Sequence, residues 1–126
     1  MIVRILTLLL TLSSTALAQE TYVQYLANEG VMVTHEDTRI LFDPLYRNGF
    51  DNYQMVPEEV REAIIAGAAP YDGVDAVFIS HFHGDHFSAE DILALLRNNG
   101  DIRLYAPAQA ASSDKSRRPA TACAGA

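Results

Sequence analysis

Residues 74–100 read VDAVFISHFHGDHFSAEDILALLRNNG. The run 75–80 is short and apolar, which predicts a buried strand. After the histidine-rich segment, Ser88 is a candidate N-cap, Asp91 stands where a capping box has its acid, and Gly100 ends the predicted helix. The pattern therefore indicates a strand, a loop and a helix, with the loop at the carboxyl end of the strand, where α/β proteins commonly bind ligands.

The loop holds three of the chain's four histidines and one carboxylate, at His81, His83, Asp85 and His86. Imidazole nitrogens and carboxylate oxygens are ligands that suit Zn²⁺, Fe or Mn. His81 and His83 lie two apart on an extended backbone and can share one ion. Asp85 and His86 follow Gly84, which lets the chain turn so that both can face a second ion. The alternative is a set of surface or helix-capping histidines, which the strand before and the helix after disfavour.

The flanking sequence predicts an α/β domain. Strands are predicted at 22–26, 31–34, 39–42, 75–80 and 102–105, and helices at 57–67 and 89–99. The runs 31–34 and 39–42 suggest a hairpin, with His35 exposed in its turn. Asp43 follows this hairpin and either supports a metal ligand from behind or starts an Asp-Pro turn.

The motif His81-x-His83-x-Asp85-His86 after VDAVFIS resembles the signature of the metallo-β-lactamase superfamily, and VMVTHEDTRILFDP is most similar to its lactonase-type and phospholipase-type branch. The resemblance covers about residues 25–105 and implies the N-terminal half of an αββα sandwich. It implies that His81 and His83 bind one metal and Asp85 and His86 a second, zinc above all. Asp85 would also orient or deprotonate the water that attacks an ester-, lactone-, amide- or phosphodiester-type bond of a small-molecule substrate.

The chain departs from that family in its later part. The family adds a third histidine, a bridging aspartate and a last histidine, but no histidine follows His86 here, and Asp114 lies in a segment without large apolar residues. Each ion would have two protein donors instead of three, and one apolar face of the sheet would lack its second layer. We therefore expect an incomplete domain, either part of an exported metal-dependent hydrolase or a non-catalytic, weakly metal-binding or unstable truncated product.

Both ends differ from the domain predicted at 19–105. Residues 1–18 begin with a short positive segment, continue with an apolar stretch and end in Ala-Leu-Ala, the layout of a signal peptide. Cleavage before Gln19 predicts a secreted or periplasmic protein with no membrane association afterwards. Residues 106–126 contain no Val, Ile, Leu, Met, Phe, Tyr or Trp. They predict a disordered or non-family tail, apart from a possible helical turn near 107–111.

Composition excludes several classes of function. At 126 residues we expect no more than one small domain. Nine Lys and Arg against sixteen Asp and Glu give a formal net charge of −7, which disfavours nucleic acid and anionic lipid as partners. Cys123 is the single cysteine, so neither an internal disulfide nor a cysteine-only zinc site can form. The sequence gives no indication of the oligomeric state.

Overall fold

The computed structural model describes residues 20–112. The predicted signal peptide with its cleavage site, most of the predicted tail, Asp114 and Cys123 lie outside the described residues. Within 20–112, no helix has the length and apolar character needed to cross a bilayer.

The described part is a mixed α/β unit, as the sequence predicts. Its elements are β1 (Thr21–Ala27), β2 (Gly30–His35), β3 (Thr38–Phe42), α1 (Glu58–Ala66), β4 (Ala76–Phe78), α2 (Ala89–Asn98), β5 (Arg103–Tyr105) and α3 (Ala108–Ser112). The sheet order is β1-β2-β3-β4-β5. β1, β2 and β3 pair antiparallel, whereas β3, β4 and β5 pair parallel. The short helix α3 occupies the place of the possible helical turn near 107–111.

The hairpin turn is shorter than the sequence suggests. His35 is the last residue of β2 and pairs with Thr38, so it lies on a strand and not in the turn. Glu36 has a φ of 54°, and this left-handed conformation lets the chain reverse over two residues. The expected exposure of His35 is nevertheless observed.

The first turn of α2 is capped differently from the predicted capping box. Ser88 is the N-cap, and its side chain accepts a hydrogen bond from the Asp91 N–H at 3.4 Å. The Asp91 carboxylate does not return to the Ser88 N–H, which donates to Leu45 O. It binds the guanidinium groups of Arg47 and Arg61 instead, because these cations neutralise a carboxylate that is almost fully buried.

All three helices contribute to a core on one face of the sheet. Strand side chains on that face include Leu26, Met32, Leu41 and Val77. They pack with Ile64 of α1, Ile92 and Leu95 of α2, and Ala110 of α3. Burying these apolar side chains is the main favourable term in folding the unit.

The opposite face of the sheet, which we call the open face, is also apolar. Because side chains alternate along a strand, it carries two registered rows across all five strands. The first row is Tyr25, Val31, Phe42, Phe78 and Tyr105, and the second is Val23, Val33, Ile40, Ala76 and Arg103. The sequence predicts such an uncovered face, and none of these residues belongs to the helix-side core.

Candidate metal centre

The candidate site lies where two parallel strands end. β3 and β4 pair in parallel, so their carboxyl ends meet at one edge of the sheet. The Asp43 N–H donates to Phe78 O at 3.0 Å, which joins the residue after β3 to the end of β4. β4 is shorter than predicted because the Ser80 N–H turns away to the Asp43 carboxylate, at 2.7 Å. The histidine loop begins at this turn.

His81 and His83 form one close pair of possible ligands. His81 Nε2 lies 2.6 Å from His83 Nδ1, and the two rings meet edge to face with centroids 4.2 Å apart. Zn–N bonds of ~2.0–2.1 Å in a tetrahedral site hold two nitrogens ~3.3 Å apart. A small rotation of either side chain therefore converts this pair into two donors for one ion.

Asp85 and His86 form the second pair. Asp85 Oδ2 lies 3.8 Å from His86 Nε2, and both side chains are largely buried. The rings of His81 and His86 have centroids 5.5 Å apart, so the two pairs are adjacent. In the described part of the chain, no three or more His, Cys, Asp or Glu side chains are grouped so that they could hold a metal ion. The donors come together as two pairs and not as a larger cluster.

Asp43 contacts His86 of the second pair at the ring nitrogen that does not face Asp85. It is only 3% exposed, and its carboxylate accepts hydrogen bonds from the Ser80 N–H and the Ser80 hydroxyl. His86 Nδ1 lies 3.0 Å from Asp43 Oδ2. Because a carboxylate only accepts, this contact requires the proton on Nδ1, and in the neutral ring it leaves the Nε2 lone pair free for a metal. Of the two interpretations of Asp43, support of a ligand is the one that its contacts favour.

Two asparagines hold the loop in place, and the sequence gives no signal for either. The Asn48 N–H donates to Gly84 O at 3.1 Å, and the Asn28 side-chain amide donates to Asp85 O at 3.1 Å. A Cβ at residue 84 would lie 3.1 Å from the Asn48 Cβ, so glycine permits this close approach. The loop is thus fixed by segments that are distant in sequence.

Several polar and charged groups with shifted pKa values lie beside a cavity next to the first turn of α1. Burial, the nearby Tyr25 and the charge of Asp85 raise the pKa of Tyr46 to about 12. Hydrogen bonding to Asp91 raises the pKa of Arg47, and hydrogen bonding to Glu58 raises the pKa of Arg61. A cavity of about 570 Å³ lies beside these residues, but none of the four predicted ligands lines it. This cavity is therefore separate from the metal loop.

His35 is remote from the site. It is the last residue of β2 and pairs with Thr38, the first residue of β3. It therefore lies at the opposite end of β3 from the histidine loop. Its Nδ1 lies 2.9 Å from the Thr21 hydroxyl. The structure therefore does not bring His35 to the other three histidines.

Comparison with known proteins finds a matching family model and similarity to a solved structure. The family model described as the beta-lactamase superfamily domain matches residues 38–124, a region that contains the histidine loop and extends into the predicted tail. A crystal structure from Parabacteroides distasonis, provisionally named a metal-dependent hydrolase, aligns with a TM-score of 0.50 and 20% identity. The alignment covers 75% of this chain and 34% of that one, and at this identity it bears on the fold alone. No curated protein matches the chain.

Proposed function

The chain belongs to the beta-lactamase superfamily, and from that membership we propose that it carries metal-binding residues of a metal-dependent hydrolase. Its fold is a partial metallo-β-lactamase fold, as the sequence predicts. The observation that carries the proposal is the meeting of two donor pairs, His81 with His83 and Asp85 with His86, at one edge of the sheet. The chain spans about a third of the Parabacteroides distasonis structure, so the activity of a whole protein is part of the proposal.

The donor set suits zinc, and iron or manganese less closely. Three imidazoles and one carboxylate are borderline-to-hard ligands, and their two pairs match two neighbouring ions. When bound, such an ion supplies hydroxide at neutral pH by lowering the pKa of water. Asp85 orients the attacking water or accepts its proton, and Asp43 holds His86 in the tautomer that leaves Nε2 free.

The substrate is a small molecule with an ester-, lactone-, amide- or phosphodiester-type bond, since hydroxide can hydrolyse each of these bonds. Turnover by the chain as written is absent or very low, because a catalytic zinc normally has three protein ligands and each pair supplies two. A second candidate function is weak metal binding without catalysis. The grouping of the donors in pairs within residues 20–112 favours it.

Hydrolysis and metal content together test these two functions. Mass spectrometry first counts the metal ions bound to the purified chain. Hydrolysis of an aryl ester, a lactone and an aryl phosphodiester is then assayed. Even slow turnover that a chelator abolishes and Zn²⁺ restores would establish the hydrolase. Bound zinc without turnover would establish the non-catalytic function. A chain that retains no zinc would contradict both.

Export is the remaining part of the proposal. Residues 1–18 have the layout of a signal peptide, which supports cleavage between Ala18 and Gln19 and a secreted or periplasmic location. N-terminal sequencing of exported material should begin at Gln19. Full-length protein that stays in the membrane fraction would contradict this proposal.

A further inference from the structure

The sequence contains two Asn-Gly pairs, Asn48-Gly49 and Asn99-Gly100, and the structure holds their side-chain amides in different ways. In such a pair the glycine backbone nitrogen can attack the asparagine side-chain carbonyl, because glycine has no Cβ to block the approach. The rate of this attack depends on how the two reacting groups are positioned. Since both pairs have the same sequence, a difference in reactivity between them comes from the fold.

The side chain of Asn48 is arranged for this attack. Asn48 is exposed, and its Oδ1 accepts a hydrogen bond from the Phe50 N–H at 2.9 Å, which forms an Asx turn. This N–H points at the oxygen on which negative charge develops when a nucleophile adds to the carbonyl carbon, so it lowers the barrier to that step. The Gly49 N–H has no hydrogen-bond acceptor within residues 20–112, so the attacking nitrogen is free.

The side chain of Asn99 is restrained instead. Its amide nitrogen donates to Ile65 O at 3.3 Å and to Leu95 O at 3.1 Å, which ties it to both α1 and α2. A Cβ at Gly67 would lie 2.1 Å from Asn99 Oδ1, so the side chain is also tightly packed. The reaction expels this amide nitrogen and must break both hydrogen bonds. Two hydrogen bonds of ordinary net strength correspond to a rate that is about 30-fold lower.

We propose that Asn48 is a site of spontaneous modification, at which deamidation alters the segment that holds the histidine loop. The Gly49 nitrogen bonds to Asn48 Cγ, the Cγ–Nδ2 bond breaks, and ammonia leaves with the proton of the Gly49 N–H. Water then opens the cyclic imide. Opening at Cγ gives aspartate, whereas opening at the main-chain carbonyl gives isoaspartate, in which the chain continues through the former side chain. The reaction consumes one water and releases one ammonia, and it involves no metal, so it does not depend on the proposed function.

The turn that contains the pair requires its glycine. A Cβ at Gly49 would lie 2.6 Å from Tyr53 O and 3.1 Å from Met55 Sδ. The Gly49 carbonyl also closes the turn, because it accepts from the Asn52 N–H at 2.9 Å and the Tyr53 N–H at 2.8 Å. The nucleophile is therefore built into the turn, and a variant that prevents the reaction has to change Asn48.

The modification occurs at a contact that holds the histidine loop. The Asn48 N–H donates to Gly84 O at 3.1 Å, and a Cβ at Gly84 would lie 3.1 Å from Asn48 Cβ. Isoaspartate brings that Cβ into the main chain, lengthens the path to Gly49 and removes the Asx turn with Phe50. The histidine loop should then open more often. Loss of one hydrogen bond corresponds to opening that is about fivefold more frequent.

Mass spectrometry of the purified full chain, aged at mildly alkaline pH, tests the reaction. Digestion with Glu-C in acid separates residues 37–58, which contain Asn48, from residues 91–126, which contain Asn99. In native buffer Asn48 should deamidate about 30-fold faster than Asn99, and in urea the two rates should be similar because the contacts of Asn99 are lost. Equal rates in native buffer, or a faster reaction of Asn48 in urea than in native buffer, would overturn the proposal.

Hydrogen exchange tests the effect on the histidine loop. The His86 and Phe87 amides, which donate to His83 O, should exchange about fivefold faster in the aged chain than in the fresh chain. Asn48→Ser is the matched control, since its hydroxyl can accept from the Phe50 N–H but it has no amide to lose. Ageing should leave exchange in this variant unchanged. If exchange stays the same after Asn48 has reacted, or rises equally in the aged serine variant, the modification does not act on the loop and the proposal is wrong.

Discussion

Replacing Asp43 by Asn tests whether this carboxylate orients a metal ligand. The asparagine carbonyl can still accept from the Ser80 N–H, and its amide then faces the Ser80 hydroxyl and His86 Nδ1. An amide donor forces His86 Nδ1 to accept, which moves the proton to Nε2 and removes the lone pair that would bind metal. Asp43 has a φ of 40°, and asparagine tolerates this conformation, so the backbone is left unchanged.

The contacts of Asp43 set the size of the effect. Charge-assisted hydrogen bonds become neutral ones, and the free energy of unfolding of the metal-free protein should fall by about 1–2 kcal/mol. Loss of a group that orients a ligand typically lowers metal affinity by about 10- to 100-fold. Asp43→Ala should cost more, about 3–4 kcal/mol, because it also leaves the Ser80 N–H unpaired and places alanine in a left-handed conformation.

Urea unfolding without metal and Zn²⁺ titration against a chromophoric chelator measure the two effects separately. Asp37→Asn in the exposed hairpin turn is the control, and it should change neither quantity. If Asp43→Asn loses stability but binds Zn²⁺ as tightly as the unaltered chain, Asp43 is only a turn residue. If neither quantity changes, the contact with His86 does not form in solution.

Three further outcomes follow from the structure. Alanine at both His81 and His83 should remove most bound zinc, as counted by mass spectrometry, whereas His35→Ala should retain it; equal losses would make the metal adventitious. Asp91→Asn should lower the free energy of unfolding by about 3 kcal/mol in urea, because two arginines lose a buried carboxylate. Since the pKa of Tyr46 rises from 10.0 to about 12, the folded state keeps a proton that the unfolded state releases. Stability should therefore fall by about 1–2 kcal/mol between pH 10 and 12, and in Tyr46→Phe it should stay nearly flat.

The parts of the fold that the sequence predicts are those with local causes. The strand before the histidine loop, Ser88 as the N-cap of α2, and the hairpin of β2 and β3 each follow from neighbouring residues. The donor pairing also has a local cause, because His81 and His83 are two residues apart and Asp85 and His86 are adjacent. Their side chains meet in the structure as that spacing predicts.

The features that the sequence does not predict depend on contacts between segments that are distant along the chain. Asp91 fits a capping box when only its neighbours are considered, but its carboxylate binds Arg47 and Arg61, which are 44 and 30 residues away. The hairpin turn shows the same limit on a smaller scale. A single left-handed residue, Glu36, decides where β2 ends, and glutamate gives little sign of that conformation.

The end of β3 shows why such contacts determine the site. Leu41 is fully buried in the helix-side core, Phe42 stacks on Phe78 in the open face, and Asp43 turns into the histidine loop. Alternation along the strand explains the first two directions, but the third requires β4 to lie parallel and in register beside β3. Only that pairing brings Ser80 to Asp43 and lets one carboxylate fix both the strand end and His86. The donors are encoded in the loop, and the orientation of His86 is encoded in the sheet.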